Sequence, residues 1–216
     1  MNSLVSLGYC NDMKYTYNPY ANKLFWINKR IFDISVSLLL LPLLFIIAAI
    51  LLICNKFFNP GRLFFIQKRM GKDCVVFFVI KFRTMSAIKE ITRKYDDPIE
   101  VNRITPLGRI LRKIRIDELP QILNVLKGDM SLIGPRPDYY LHALEYLRLV
   151  DGYRERHNIR PGITGLSQIR IGYVENLEST SKKVSIDNYY IQNISYSFEI
   201  KIIINTIIVI IRGLGK

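Results

Sequence analysis

A chain of 216 residues has room for one domain, with or without a membrane element, and argues against a second catalytic domain. Half of the residues are hydrophobic, yet 31 Lys and Arg face 18 Asp and Glu, so an apolar chain carries a net charge of +13. That pairing points to anionic partners, whether nucleic acid, lipid headgroups or a phosphorylated substrate, and composition does not choose among them.

Residues 1–28 are polar and aromatic, with Tyr9, Tyr15, Tyr17, Tyr20 and Trp26, and lack the basic n-region and small-residue cleavage site of a secretion signal. From Ile34 to Cys54, 21 consecutive residues are uncharged. As a helix they extend about 31 Å, close to the hydrocarbon thickness of a bilayer. Pro42 lies inside this run and removes a backbone hydrogen bond, which kinks or breaks a helix. Lys29 and Arg30 precede the run, and Lys56, Arg62, Lys68 and Arg69 follow it. The positive-inside rule is best met when both flanks stay cytoplasmic, as in a hairpin that enters and returns. A single span with a tolerated proline is the alternative, and physics alone leaves both open. Cys54 and Cys74 border apolar runs and read as small core residues; with Cys10 and only two histidines they make no disulfide framework or zinc site.

After the turn signal Asn59-Pro60-Gly61, the composition of Val75–Phe82 predicts strand, and Gly71-Lys72-Asp73 predicts the bend of a hairpin. Residues 86–104 read as a solvated connection. Leu107, Ile110, Leu111 and Ile114 then recur at helical spacing, with Pro106 in the first turn and Arg109, Arg112, Lys113 and Arg115 on the other face. A second helix is predicted from Asp117, with Leu119, Ile122, Leu123 and Leu126 as its apolar stripe and Gly128 as its stop. Ile133-Gly-Pro-Arg-Pro137 must be a rigid turn presenting Arg136, and Arg160-Pro-Gly-Ile-Thr-Gly165 is a second stiff loop with an arginine at its mouth. A helix is predicted over about residues 139–156. Ile200–Ile211 is apolar but too short to span a bilayer, so it predicts an interfacial or core-packed helix.

Asp117 and Glu118 carry the chemistry or cap a helix, and both readings follow from the same physics. Asp is a preferred N-cap and Glu is favoured in a first helical turn. A helix N-terminus and four nearby basic residues also favour an ionised carboxylate, and such a carboxylate facing a bound phosphate is placed to attack phosphorus. Two adjacent negative groups facing an anionic substrate call for a cation, and hard oxygen ligands point to Mg2+ held by Asp117 and Glu118. Lys81, Arg83, Arg112, Arg136 and Arg160 are the candidate phosphate contacts, the last two held by Pro/Gly loops.

The run Ile116-Asp-Glu-Leu-Pro-Gln121, continuing as Asn124-Val-Leu-Lys-Gly-Asp-Met-Ser-Leu-Ile-Gly-Pro-Arg-Pro137, resembles the signature of the bacterial sugar transferases, which are polyprenyl-phosphate phosphoglycosyl transferases. Lys81-Phe-Arg-Thr-Met85 and Arg160-Pro-Gly-Ile-Thr-Gly-Leu-Ser-Gln168 match its other motifs in the same order, and the similarity covers about residues 23–212. The resemblance implies a mainly α fold with a small β-hairpin, a re-entrant membrane helix over 29–58 that breaks at Pro42, and a cytoplasmic catalytic domain over 59–216 with interfacial amphipathic helices. It implies a monotopic enzyme of the inner membrane that moves a sugar 1-phosphate from a UDP-sugar to undecaprenyl phosphate. In that reaction Asp117 resembles the nucleophile that releases UMP, and Glu118 resembles its partner. Lys81, Arg112 and Arg136 resemble the family's phosphate contacts.

Two departures stand out. Leu41 precedes Pro42 where many members have Ser, and Tyr189-Tyr190 is followed by Ile194 and Glu199 where an aromatic residue and an Asp are common. Anionic lipids are expected partners, a homodimer is left open, and residues 172–183 are a candidate sugar-reading segment. A membrane-tethered nucleic-acid-binding or scaffold protein is the competing reading of the +13 charge, but no helix-turn-helix or aromatic-basic platform accompanies it, so no nucleic acid partner is expected.

Overall fold

The computed structural model describes residues 22–86, 97, 100–171 and 176–212. In chain order the elements are α1 (Lys23–Phe58), β1 (Phe64–Met70), β2 (Val76–Phe82), α2 (Pro106–Lys113), α3 (Gln121–Lys127), β3 (Ser131–Ile133), α4 (Tyr140–Leu149), β4 (Gly162–Thr164), α5 (Leu166–Arg170), α6 (Leu177–Gln192) and α7 (Tyr196–Ile211). Helix predominates, as the apolar periodicity predicts. Most of the 86–104 connection, residues 1–21 and residues 172–175 lie outside the described residues.

α1 is one helix of 36 residues, capped by the Asn22 side chain, and it continues through Pro42. Its few polar residues explain its seating. Phe25, Lys29, Asp33, Ser37, Leu44, Leu51 and Asn55 are all buried, at spacings of four and seven residues, and so form one stripe. Lys29 pairs with Glu199 of α7, and Asp33 accepts a hydrogen bond from the Leu132 N–H at 3.1 Å. Arg30 donates to the Val125 carbonyl at 2.7 Å, and Leu44 and Leu51 pack with Phe82, Leu111 and Ile122. Asn59, the helix's C-cap, donates to the Arg83 carbonyl at 2.9 Å. Residues from both ends of the helix therefore pack on the rest of the protein. Leu39, Phe45, Ile46 and Ile53 on its outward side are exposed.

β1 and β2 form the predicted antiparallel hairpin, in register from Phe64↔Phe82 to Met70↔Val76. Its bend is a 3-10 turn, Lys72–Cys74, in which Asp73 and Cys74 both take positive φ. Phe77 and Val79 of β2 pack with Val125 and Met130, and this contact seats the hairpin on α3. Cys54 and Cys74 are free and only half-buried, so neither is the core residue expected, because each sits at the margin of its element.

Three features differ from the sequence expectation. The helix predicted from Asp117 begins at Gln121; Ile116–Glu118 form a separate 3-10 turn, entered through Arg115 at φ 56°. The helix predicted over 139–156 stops at Leu149, because Val150 is extended and Gly152 takes φ +72°. Arg156 falls instead in a 3-10 turn, Glu155–His157. Finally, β3 and β4 pair in parallel, with Ser131↔Gly162 and Ile133↔Thr164, which brings the two stiff loops side by side. Their glycines permit it: a Cβ on Gly162 would stand 2.1 Å from the Gly134 nitrogen, and one on Gly165 would stand 2.2 Å from the Gly134 oxygen.

Candidate active site

Asp117 and Glu118 are both buried, in the 3-10 turn between α2 and α3. Lys81, at the end of β2, donates from Nζ to Glu118 Oε1 at 2.8 Å. Arg136, from the loop after β3, donates from Nη2 to the same oxygen at 2.5 Å. Arg115 Nη1 lies 4.0 Å from Oε2. Glu118 is thus the paired member of the dyad, with both strong contacts on one oxygen.

Each cation is held by the local fold. Asn124 of α3 substitutes for a strand neighbour: its side chain donates to the Phe78 carbonyl at 2.7 Å and accepts from the Ile80 N–H at 3.0 Å, fixing β2 and hence Lys81. Thr105 caps α2 by accepting from the Gly108 N–H at 3.0 Å. Gly108 lets α2 approach so closely that a Cβ there would stand 2.0 Å from the Thr84 carbonyl oxygen. That approach puts Arg112 Nε 2.9 Å from Thr84 Oγ1. The Arg136 loop is pinned through four consecutive carbonyls. Gly162 N–H donates to the Pro135 oxygen at 2.9 Å, Arg156 to that of Arg136 at 2.7 Å, Arg69 to that of Pro137 at 2.9 Å and Met70 N–H to that of Asp138 at 3.1 Å.

Beneath this loop lies a buried ion network. Arg156, wholly enclosed, pairs with Asp138 at 2.5 Å and with Asp187 of α6 at 2.8 Å. Lys183 reaches the other Asp138 oxygen at 2.5 Å, and Tyr153 donates to Asp138 at 2.9 Å. Burial opposes ionisation of Asp138, but Lys183 and Arg156 outweigh it and hold that carboxyl well below the usual carboxylate range.

The dyad is electrostatically asymmetric. Burial disfavours charge on Glu118, yet Arg136 and Lys81, acting by charge and by hydrogen bonds, keep it well below the ordinary range. Burial pushes Asp117 up to about 6; Lys81, Arg112 and Arg136 oppose the rise and the adjacent Glu118 charge adds to it. The expected ionised Asp117 at neutral pH stands, but a helix N-terminus is not its main influence. The 3-10 turn makes no side-chain cap and α3 starts four residues later, so burial dominates. At neutral pH Asp117 remains mostly ionised.

Of the five predicted cations, Lys81, Arg112 and Arg136 act on the dyad, whereas Arg83 and Arg160 serve helix ends. Arg83 donates to the carbonyl of Asn59, the C-cap of α1, and Arg160 Nε donates to that of Gly128, the C-cap of α3, at 2.8 Å. Pro42 sits midway along α1. Within the candidate sugar-reading segment, Lys183 is committed to Asp138. Sequence reasoning missed Asn124, Asp138, Arg156 and Asp187, whose partners are distant in the chain; the one signal was a basic Arg-Glu-Arg-His run after a helix.

Among the described residues no cluster of three or more His, Cys, Asp and Glu gathers. Two carboxylates nonetheless suit Mg2+, which is usually held by one or two carboxylates plus substrate phosphates and water. The lysine and arginine contacts converge on Glu118 Oε1 and leave Oε2 less engaged, so the donor set fits.

A family model described as bacterial sugar transferase matches residues 24–213. An Aeromonas hydrophila UDP-N-acetylgalactosamine-undecaprenyl-phosphate N-acetylgalactosaminephosphotransferase is 38% identical over 187 residues, covering 87% of this chain and 44% of that protein. The Escherichia coli UDP-glucose:undecaprenyl-phosphate glucose-1-phosphate transferase is 39% identical over 185 residues, covering 83% and 39%. An exopolysaccharide production protein of Rhizobium leguminosarum is 39% identical over 206 residues, covering 87% of this chain and 97% of its own length. The chain spans less than half the length of the first two relatives. With its motifs, its dyad and this match over nearly the whole sequence, the chain belongs to the bacterial sugar transferase family.

Proposed function

We propose that this chain transfers a sugar 1-phosphate from a UDP-sugar to undecaprenyl phosphate, releasing UMP, as the first membrane step of a surface polysaccharide. The observation that carries the reading is the division of labour in the dyad: Glu118 takes the direct ion pairs, and Asp117 remains beside the same cations as a carboxylate of raised basicity. A more basic carboxylate is a better nucleophile, and three nearby cations offset the charge of a bound pyrophosphate. Asp117 attacks the β-phosphorus, a P–O bond forms, and the bond to the bridging oxygen breaks; that oxygen leaves with UMP. An oxygen of undecaprenyl phosphate then attacks the same phosphorus and displaces Asp117. Glu118 keeps Lys81 and Arg136 in position throughout. Asp117 and Glu118 would hold Mg2+, which would supply further neutralisation of phosphate charge. Purified chain in detergent, given UDP-N-acetylgalactosamine or UDP-glucose with undecaprenyl phosphate, should release UMP, and Asp117→Asn should abolish it. Full activity in that variant would refute the nucleophile assignment.

The same reading places the chain as a monotopic protein on the cytoplasmic face of the inner membrane, with α1 entering and leaving on one side at a bend near Pro42. Support comes from the seating of α1: Asp33, Ser37 and Asn55 face the body, where a lone bilayer-crossing helix would carry them into lipid. α7, with Ile200, Ile204 and Ile211 exposed, lies in the interface beside it. The exposed Lys68 and Lys72 of the hairpin suit anionic headgroups.

A further inference from the structure

Gln121, the first residue of α3, is 2% exposed, and its Nε2 has no hydrogen-bond partner among the described residues. A buried amide donor without a partner weakens a fold, so such a group persists where a ligand or a water completes it. Its position says which. Leu119 and Pro120 both have right-handed helical backbone, so the separate turn holding the dyad leads into α3 with the same hand. Gln121 and Asn124, three residues apart, share a face of α3, and Asp117 lies four residues before Gln121 in the turn that leads into the helix. On that face Asn124 grips Phe78 and Ile80 of β2, and before the helix Glu118, the neighbour of Asp117, meets Lys81, the next residue of the same strand. Gln121 sits between them, one turn from Asp117.

Building on the proposed reaction, we infer that Gln121 Nε2 contacts substrate, donating a hydrogen bond to a non-bridging oxygen of the phosphoryl group that Asp117 captures. A neutral donor suits this place. Another cation would lower the basicity of the attacking carboxylate, whereas an amide orients the phosphoryl oxygen without adding charge.

Gln121→Met keeps the length and bulk of the side chain and removes the donor. In detergent-purified full chain, with undecaprenyl phosphate and UDP-N-acetylgalactosamine or UDP-glucose, kcat/KM for UMP release should fall about ten- to hundredfold, the effect of one hydrogen bond to a charged group. The melting temperature without substrate should hold or rise, because no hydrogen bond of Nε2 among the described residues is lost. A marked fall in melting temperature would overturn the inference, since Gln121 would then brace the fold; so would unchanged kcat/KM. Gln121→Glu, of the same shape but presenting an acceptor, should lose more activity than Gln121→Met, and wild-type turnover by it would equally overturn the role. If the wild-type chain releases no UMP from either nucleotide, the proposed reaction itself fails and takes the inference with it. If the wild type turns over and Gln121→Met matches it, only the role of Gln121 fails.

Discussion

Replacing Arg156 by Met would remove the guanidinium that joins α6, the turn after α4 and the Arg136 loop. Arg156 pairs with Asp138 and Asp187 and donates to the Arg136 carbonyl, and it is 1% exposed. The two aspartates do not suffer equally. Asp138 keeps Lys183 and Tyr153, whereas the recorded ion pair of Asp187 is with Arg156, so Asp187 becomes a buried charge without its counter-ion. Breaking a buried pair by removing one partner costs about 3–5 kcal/mol. For a chain of this length that lowers the melting temperature by about 6–20 °C. Arg156→Met combined with Asp187→Asn should regain roughly half of the loss, because the stranded charge is gone while the contact to the Arg136 carbonyl is still missing. Thermal unfolding of both variants in detergent reads the stability, and UMP release reads the site, where kcat/KM should fall about tenfold as the Arg136 loop loosens. A melting temperature within about 2 °C of wild type for Arg156→Met, or a double variant no more stable than the single, would refute the reasoning.

Gly108→Ala puts a Cβ 2.0 Å from the Thr84 carbonyl oxygen, a backbone atom that cannot yield, so α2 must shift and carry Arg112 off Thr84. Stability should fall by about 1–3 kcal/mol and kcat/KM at least tenfold, both measurable on the same preparation. Acidification tests the base of the site, because burial, followed by the Arg156 charge, lowers His157 from 6.5 to about 4. Between those values the unfolded chain binds a proton that the native chain refuses, so stability falls as pH falls through that window. His157 contributes a loss of about 2 kcal/mol from pH 7 to pH 5, which the raised Asp117 partly offsets, so the stability change between the two pH values should become more favourable to the acid side in His157→Asn when melting temperatures are compared. Cysteines introduced singly at Lys23 and Arg62, at the two ends of α1, should both resist a membrane-impermeant thiol reagent added to intact cells. Labelling at one end only would mean that α1 crosses the bilayer.

Local periodicity and turn chemistry made the hairpin, α2 and α7 legible in the sequence, since each is specified by neighbours in the chain. α3 was displaced because Asp117 looks like a helix cap, while the positive φ at Arg115 that forces a separate 3-10 turn has no glycine to announce it. The break after Leu149 turns on Gly152, read as part of a longer helix. Lys81, Arg112 and Arg136, singled out by their motifs, lie against the dyad. Arg83 and Arg160 carry the same motif signal, but their partners are the last carbonyls of α1 and α3, which only the fold reveals. The parallel pairing of β3 with β4 and the Asp138–Arg156–Asp187 network join segments 18 to 31 residues apart, beyond the reach of any pattern in one segment. The raised basicity of Asp117 is likewise a property of its burial and not of its neighbours in sequence.

The central claim is that Asp117 is a nucleophile, and intact-protein mass spectrometry tests it most directly. Incubated with a turned-over UDP-sugar and without undecaprenyl phosphate, the chain should gain the mass of one sugar phosphate, located by peptide mapping to Asp117, with one UMP released per chain. Adding undecaprenyl phosphate should discharge it. UMP release that requires both substrates together, with no adduct on Asp117, would contradict the account.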